Sequence, residues 1–181
     1  TGRGGHVVLQ SPRLTGDSME VSVHIAPRAL LSELRHVFPN RSLYSEGCLA
    51  VPTLQQSTQD LVNWGDEVEL EKDRCLNVFS SFARTVCERL IAAGHWADYI
   101  DPCSGLPMIE RESNSVFSEV ECMQVLLHYR VLNAGMCKVL LHPTWGSSVY
   151  PATLFTQAPY SELATILEEF YQRETAEPPS S

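Results

Sequence analysis

The sequence predicts an α+β domain, an antiparallel sheet flanked by helices, on three observations. Stretches that alternate at every second residue mix with stretches of three-to-four spacing, and the two kinds do not follow the strand–helix–strand rhythm of a parallel sheet. At 181 residues, 44% hydrophobic and 19% charged, the composition is that of a globular chain with a core of its own. One domain is expected over residues 17–173, between a flexible arm, 1–16, with four glycines, and a disordered tail, 174–181. No internal repeat is evident.

The elements follow in order. "MEVSVHI", 19–25, alternates as a strand with Met19, Val21, Val23 and Ile25 on one face. Residues 26–39 space Leu30, Leu31, Leu34 and Val37 as a helix ended by Pro39. Residues 47–58 read as a strand, in which Pro52 predicts an edge position or a strand start. The clearest helix spans 66–93: Asp66 and Glu69 have capping-box spacing, Phe79, Phe82, Val86 and Leu90 form the stripe, and Gly94 closes it. Residues 115–127 fit a strand or a helix equally. Residues 137–142 and 148–156 read as an antiparallel pair around Pro143–Gly146, and a last helix covers 161–172.

Charge and cysteine usage narrow the function. With 13 basic and 22 acidic residues, net −9, and no basic cluster, the chain lacks the positive stripe of a nucleic-acid binder. Apolar runs of about four residues fall far short of a bilayer span and of a secretory signal, so a soluble protein without a membrane partner is expected. Six cysteines are scattered at 48, 75, 87, 103, 122 and 137 with no CxxC, which predicts reduced thiols in an intracellular compartment. The phosphate-binding glycine loops, GxSxG and HExxH are absent.

The stretch "AGHWADYIDPCSGLP", 92–106, holds His95, Asp98 and Asp101 three apart. An imidazole and two carboxylates are potential metal ligands, but the spacing matches no known ligand set, and aspartates at turns ordinarily bind their own backbone. Cys48, Cys75 and Cys87 read as inert small hydrophobes, and Cys103 as an exposed thiol in a turn. Cys137, in "NAGMCKVLLHPTWG", sits between Gly135, which lets another surface approach, and Lys138. The burial preference of free cysteine favours a structural role for it.

The strings "LVNWGDEVELEKDRCL", "AGHWADYIDPCSGLP", "NSVF", "CKVLLHPTWGSSV" and "LFTQA" occur in this order, and over residues 53–158 the chain resembles the C-terminal domain of the CblD family. The resemblance implies a modified nitroreductase-like, flavin-reductase-like fold that has lost flavin, holds no metal or cofactor alone, and meets cobalamin only through a partner. It implies a non-enzymatic adaptor, cytoplasmic or mitochondrial, that docks on a CblC-like cobalamin-processing protein and routes vitamin B12 to methionine synthase or methylmalonyl-CoA mutase. In the family the first of two adjacent cysteines ahead of Lys-Val is the cobalt ligand; here those positions hold Met136 and Cys137, and Cys137 is expected to serve. Gly135, Trp145 and Gly146 are the expected partner surface. Two rivals are a small flavin-dependent reductase, which needs a phosphate-binding basic cluster, and a thiol redox protein using Cys103 or Cys137.

Overall fold

The computed structural model describes residues 5–171. A five-stranded antiparallel sheet is built from β1 (Val8–Leu14), β2 (Met19–Ile25), β3 (Leu49–Gln56), β7 (Val149–Thr156) and β4 (Ala97–Tyr99), in that spatial order. A separate hairpin pairs β5 (Arg130–Ala134) with β6 (Cys137–Leu141). Five helices accompany them: α1 (Arg28–Val37), α2 (Leu43–Glu46), α3 (Asp66–Ala92), α4 (Glu119–Leu127) and α5 (Tyr160–Glu168). The predicted α+β class with helices flanking an antiparallel sheet is the architecture found.

Both faces of the sheet are covered, and strand alternation decides which residue faces which helix. Tyr150, Ala152 and Leu154 of β7, with Val51 of β3, point to α3 and α5, where they meet Phe79, Phe82, Val86, Leu163 and Leu167. Ala50 and Phe155 point the other way, to Leu30 and Leu34 of α1 and Cys122 and Leu126 of α4. Covering both faces also buries Thr53, Gln55 and Thr153, which therefore need partners. Thr53 Oγ1 donates to the Ala152 carbonyl at 2.8 Å, and Gln55 Nε2 to the Cys75 carbonyl at 2.7 Å.

Several expectations are corrected. Residues 8–14, expected in a flexible arm, form β1: its side chains are mostly exposed, so it shows no apolar alternation, and backbone pairing with β2 holds it. Its Arg13 reaches Glu168 at 2.9 Å and covers the Tyr171 ring. Pro52 lies in an interior strand, opposite Thr153 of β7, rather than at an edge. On its other side the β2–β3 ladder carries no pair between Val21↔Thr53 and His24↔Ala50, so the missing N–H falls in an interruption. Residues 137–141 pair with 130–134, not with 149–156, because Gly135-Met136 supplies a two-residue turn with Gly135 at φ 62°. Within the undecided stretch 115–127, residues 119–127 form the helix α4, capped by Ser118, whose Oγ accepts the Glu121 N–H at 3.3 Å. At α3, Asp66 is the first helical residue and Gly65 takes the cap position, so the Asp66 capping box does not form; Asp66, Glu67 and Glu69 instead face the positive end of the dipole. The helix predicted over 161–172 is α5, which ends at Glu168, and Tyr171 instead bridges Thr15; residue 172 and the tail after it lie outside the described residues.

The 92–106 stretch is a frame. Fully buried Asp98 accepts the N–H groups of Tyr99, Ile109 and Glu110 at 2.8, 2.9 and 2.8 Å, so one carboxylate holds β4 to the loop after it. Burial raises its pKa against the pull of these three bonds. Asp101 accepts from Cys103 N and Ser104 Oγ, closing the Pro102–Gly105 turn, and His95 turns away to Glu162 of α5. At Gly105, φ 71°, a Cβ would lie 2.9 Å from the Phe117 carbonyl oxygen, so the turn passes too close to admit a side chain. The three candidate ligands part company, and no shared ion is implied by their positions. Asp98→Ala leaves one buried and two part-buried N–H groups without their acceptor and is expected to cost about 3 kcal/mol, read from the urea midpoint at unchanged m-value.

Candidate functional site: the β5–β6 hairpin and its cleft

The hairpin stands apart because, among the described residues, no backbone ladder joins it to the main sheet. One face packs down: Val131 and Leu140, a cross-strand pair, meet Met123 of α4, Leu54 of β3 and Val149 of β7. The opposite face carries the pairs Leu132↔Val139 and Ala134↔Cys137, with Leu132 54% exposed and Ala134 and Cys137 also exposed. Cys137 thus sits at the closing pair of the hairpin, with its thiol free and on the surface. This corrects the structural reading drawn from cysteine's usual burial. Met136 is fully exposed in the turn itself, outside the strand, so the alternation that would send neighbours to opposite faces does not govern the Met136-Cys137 step.

A cleft of about 510 Å³ opens beside the hairpin end. It is lined by Ala134 and Cys137 from the hairpin, by Val62 and Trp64 from the loop ahead of α3, and by Val120 and Pro151 from α4 and β7. Trp64, 95% exposed, is the residue that sequence reasoning missed. A tryptophan one position before a helix-capping glycine was the available signal. Its loop is fastened by Glu71, which accepts the Thr58 N–H at 2.8 Å and a two-pronged Arg74 at 2.8 and 2.7 Å. Arg74 chiefly draws the Glu71 pKa down to about 2. Lys72 and Lys138 also line the cleft, paired with Glu69 at 3.1 Å and Glu121 at 3.2 Å.

The expected partner surface divides between the two ends of the hairpin. Gly135 is at the tip, with open space around its α-carbon; Trp145 and Gly146 lie at the base, about 17 Å away for a strand of this length. Trp145 is half-buried rather than free-standing, its indole stacked 3.9 Å from the His142 ring, and Gly146, φ 58°, closes the His142–Gly146 turn.

The other five thiols are all held toward the neutral form. Burial pushes Cys48 up to about 12 and Cys75 to about 11, and raises Cys87 and Cys122 further; burial and Asp101 raise Cys103. Cys103 lines a second cleft, of about 340 Å³, that shares Val120 and Pro151 with the first and also contains Glu119 and Tyr150. The Glu119 carboxylate turns inward, accepting from Thr153 N at 3.2 Å and Thr153 Oγ1 at 2.6 Å. Burial pushes its pKa up to about 7 despite these bonds.

Two outcomes are expected. A native thiol titration reads two reactive cysteines, Cys103 and Cys137, out of six, and Cys137→Ser leaves one. For Glu119 the folded pKa lies above the unfolded value, so its contribution to stability is complete below the unfolded pKa of about 4.3 and is lost as pH rises through the folded pKa. Glu119→Gln keeps an acceptor for Thr153 and removes that loss, making the variant more stable than wild type at pH 8 by about 1–3 kcal/mol in parallel urea titrations.

The sequence profile of the methylmalonic aciduria and homocystinuria type D protein family matches residues 11–167. Proteins named cobalamin trafficking protein CblD from Homo sapiens and Mus musculus are 33% identical over 141 residues, 77% of this chain and 47% of theirs. The Gallus gallus protein of that name is 32% identical over the same extent. The chain therefore spans about half the length of the curated relatives it matches. On a profile match that takes in both the main sheet and the hairpin, the chain belongs to the methylmalonic aciduria and homocystinuria type D protein family.

Proposed function

We propose that this chain is an intracellular cobalamin-trafficking adaptor that docks through the β5–β6 hairpin on a cobalamin-loaded, CblC-like processing protein and offers the Cys137 thiolate to the cobalt. The observation that carries this reading is the exposed Cys137 at the hairpin end beside an apolar cleft, in a chain whose relatives are named for cobalamin trafficking. A thiolate is a soft donor suited to a transition metal, and bond formation itself drives loss of the thiol proton. On binding, sulfur would supply the electron pair, the thiol proton would go to solvent, and a cobalt-bound water would be the ligand displaced. Met136, a thioether, cannot ionise and makes a much weaker donor. The cobalamin passes onward to methionine synthase or methylmalonyl-CoA mutase, in the cytosol or the mitochondrion, and the chain turns over no substrate of its own. An antiparallel sheet covered by helices on both faces supports a place for the domain among nitroreductase-like folds.

Gel filtration with a cobalamin-loaded CblC-like protein, followed by visible spectroscopy of the complex, tests the proposal. Wild type is expected to co-elute and give a cobalt–thiolate spectrum; Cys137→Ser to co-elute without it; Met136→Leu to keep it. A spectrum that survives Cys137→Ser overturns the ligand assignment. Co-elution of wild type without any spectral change overturns the thiolate chemistry, and absence of co-elution overturns the adaptor role.

A further inference from the structure

We infer that His142 is a positioning residue, the joint that sets the pitch of the β5–β6 hairpin, and so the place of Cys137, against the main sheet. The inference rests on the reading above for its purpose, since the place of Cys137 matters because the hairpin docks. Its geometry stands alone.

With no ladder to the sheet, the hairpin is oriented by side chains. Near the tip the fastening is Lys138 to Glu121 at 3.2 Å, an exposed pair that contributes little. The base is different. His142 directly follows β6 and is 6% exposed. Its Nδ1 accepts the N–H groups of Thr144 and Trp145, both at 3.1 Å, which takes up the ring's lone pair and assigns the proton to Nε2. Nε2 lies 2.9 Å from Glu20 Oε2 on β2 and donates to it. The His142 and Gly146 backbones exchange two hydrogen bonds at 2.9 Å, locking the turn that carries Trp145 onto the ring. Tyr129, the residue before β5, meets the same ring edge-on, centroids 5.4 Å apart. One imidazole thus touches the segments flanking both hairpin strands and bonds to the main sheet. The lever is long. Over the five residues to Cys137, about 17 Å, a tilt of about 10° at the base displaces the thiol by about 3 Å, several times the tolerance of about 0.5 Å for a productive site.

The test uses the isolated chain. Nitroxides on the two exposed thiols, Cys103 and Cys137, report the position of Cys137 as a dipolar distance distribution, and amide hydrogen exchange reports local stability in the same samples. His142→Ala is expected to broaden the distribution at least twofold and to raise exchange in the hairpin, residues 130–141, at least tenfold, with β3 and β7 unchanged within twofold. His142→Asn, which can keep an acceptor near Nδ1, and His142→Gln, which can keep a donor near Nε2, are each expected to restore part of the narrow distribution. An unchanged distribution overturns the inference. So does a parallel loss of protection in β3 and β7, which makes His142 a residue of general stability. If His142→Ala fails to fold, Glu20→Ala, which leaves the ring and its turn in place, decides by the same two readings. No partner or cobalamin enters the measurement, so failure of the cobalt–thiolate chemistry and failure of this joint are told apart.

Discussion

Eight consecutive pairs between β3 and β7, from Leu49↔Thr156 to Gln56↔Val149, are the constraint on which the rest of the molecule depends. Helices on both faces bury most of this ladder, so its buried polar side chains turn inward for partners, and several of those partners place another element. Thr156 Oγ1 donates to the Trp96 carbonyl at 2.7 Å and seats β4; Gln157 just beyond reaches the Gly47 carbonyl at 3.0 Å. Thr153 takes the Glu119 carboxylate and fixes the first turn of α4. The hairpin then rests on α4 through Val131, Leu140 and Met123. Its position is therefore inherited from the central ladder at one remove and corrected at its base by His142.

This arrangement divides labour between a frame and an arm. The frame holds Asp98, Glu119 and most of its thiols out of reach: Asp98 is spent on three backbone groups, Glu119 on Thr153, and Cys48, Cys75, Cys87 and Cys122 are buried. The arm does the reverse, leaving Leu132, Met136 and Cys137 exposed, and Cys137 shares its cleft with the exposed Trp64. Apolar side chains gathered around a cleft on a folded surface mark a place where another molecule sits, and tryptophan is a frequent centre of such contacts. A discrete hairpin also suits a donor that must enter a partner's pocket, because it can project without exposing the ladder that stabilises the domain.

The sequence disclosed the parts whose local pattern and global role agree. β2 is visible in its alternation, α3 in its stripe, and the turn-fixing role of Asp101 in the residues around it. It concealed the parts decided by pairing. β1 has no apolar face to betray it and is held by a neighbour's backbone. Pro52 forbids a complete ladder but not an interior strand, provided the gap falls beside it. The partner of β6 was settled by the tight Gly135-Met136 turn against the more conspicuous Pro143–Gly146 turn. At the site, Cys137 was nameable in advance while its exposure was not, because burial of a cysteine depends on which strand faces it. Trp64 escaped for a related reason: its exposure follows from the course of a loop set by Glu71 and Arg74.

In the proposed complex a sulfur atom from this hairpin meets the cobalt of a partner-held cobalamin. Cobalt-edge X-ray absorption on the purified complex reads that bond directly. One sulfur bonded to cobalt is expected in the wild-type complex and none with Cys137→Ser. A cobalt surrounded only by nitrogen, oxygen and carbon in the wild-type complex contradicts it.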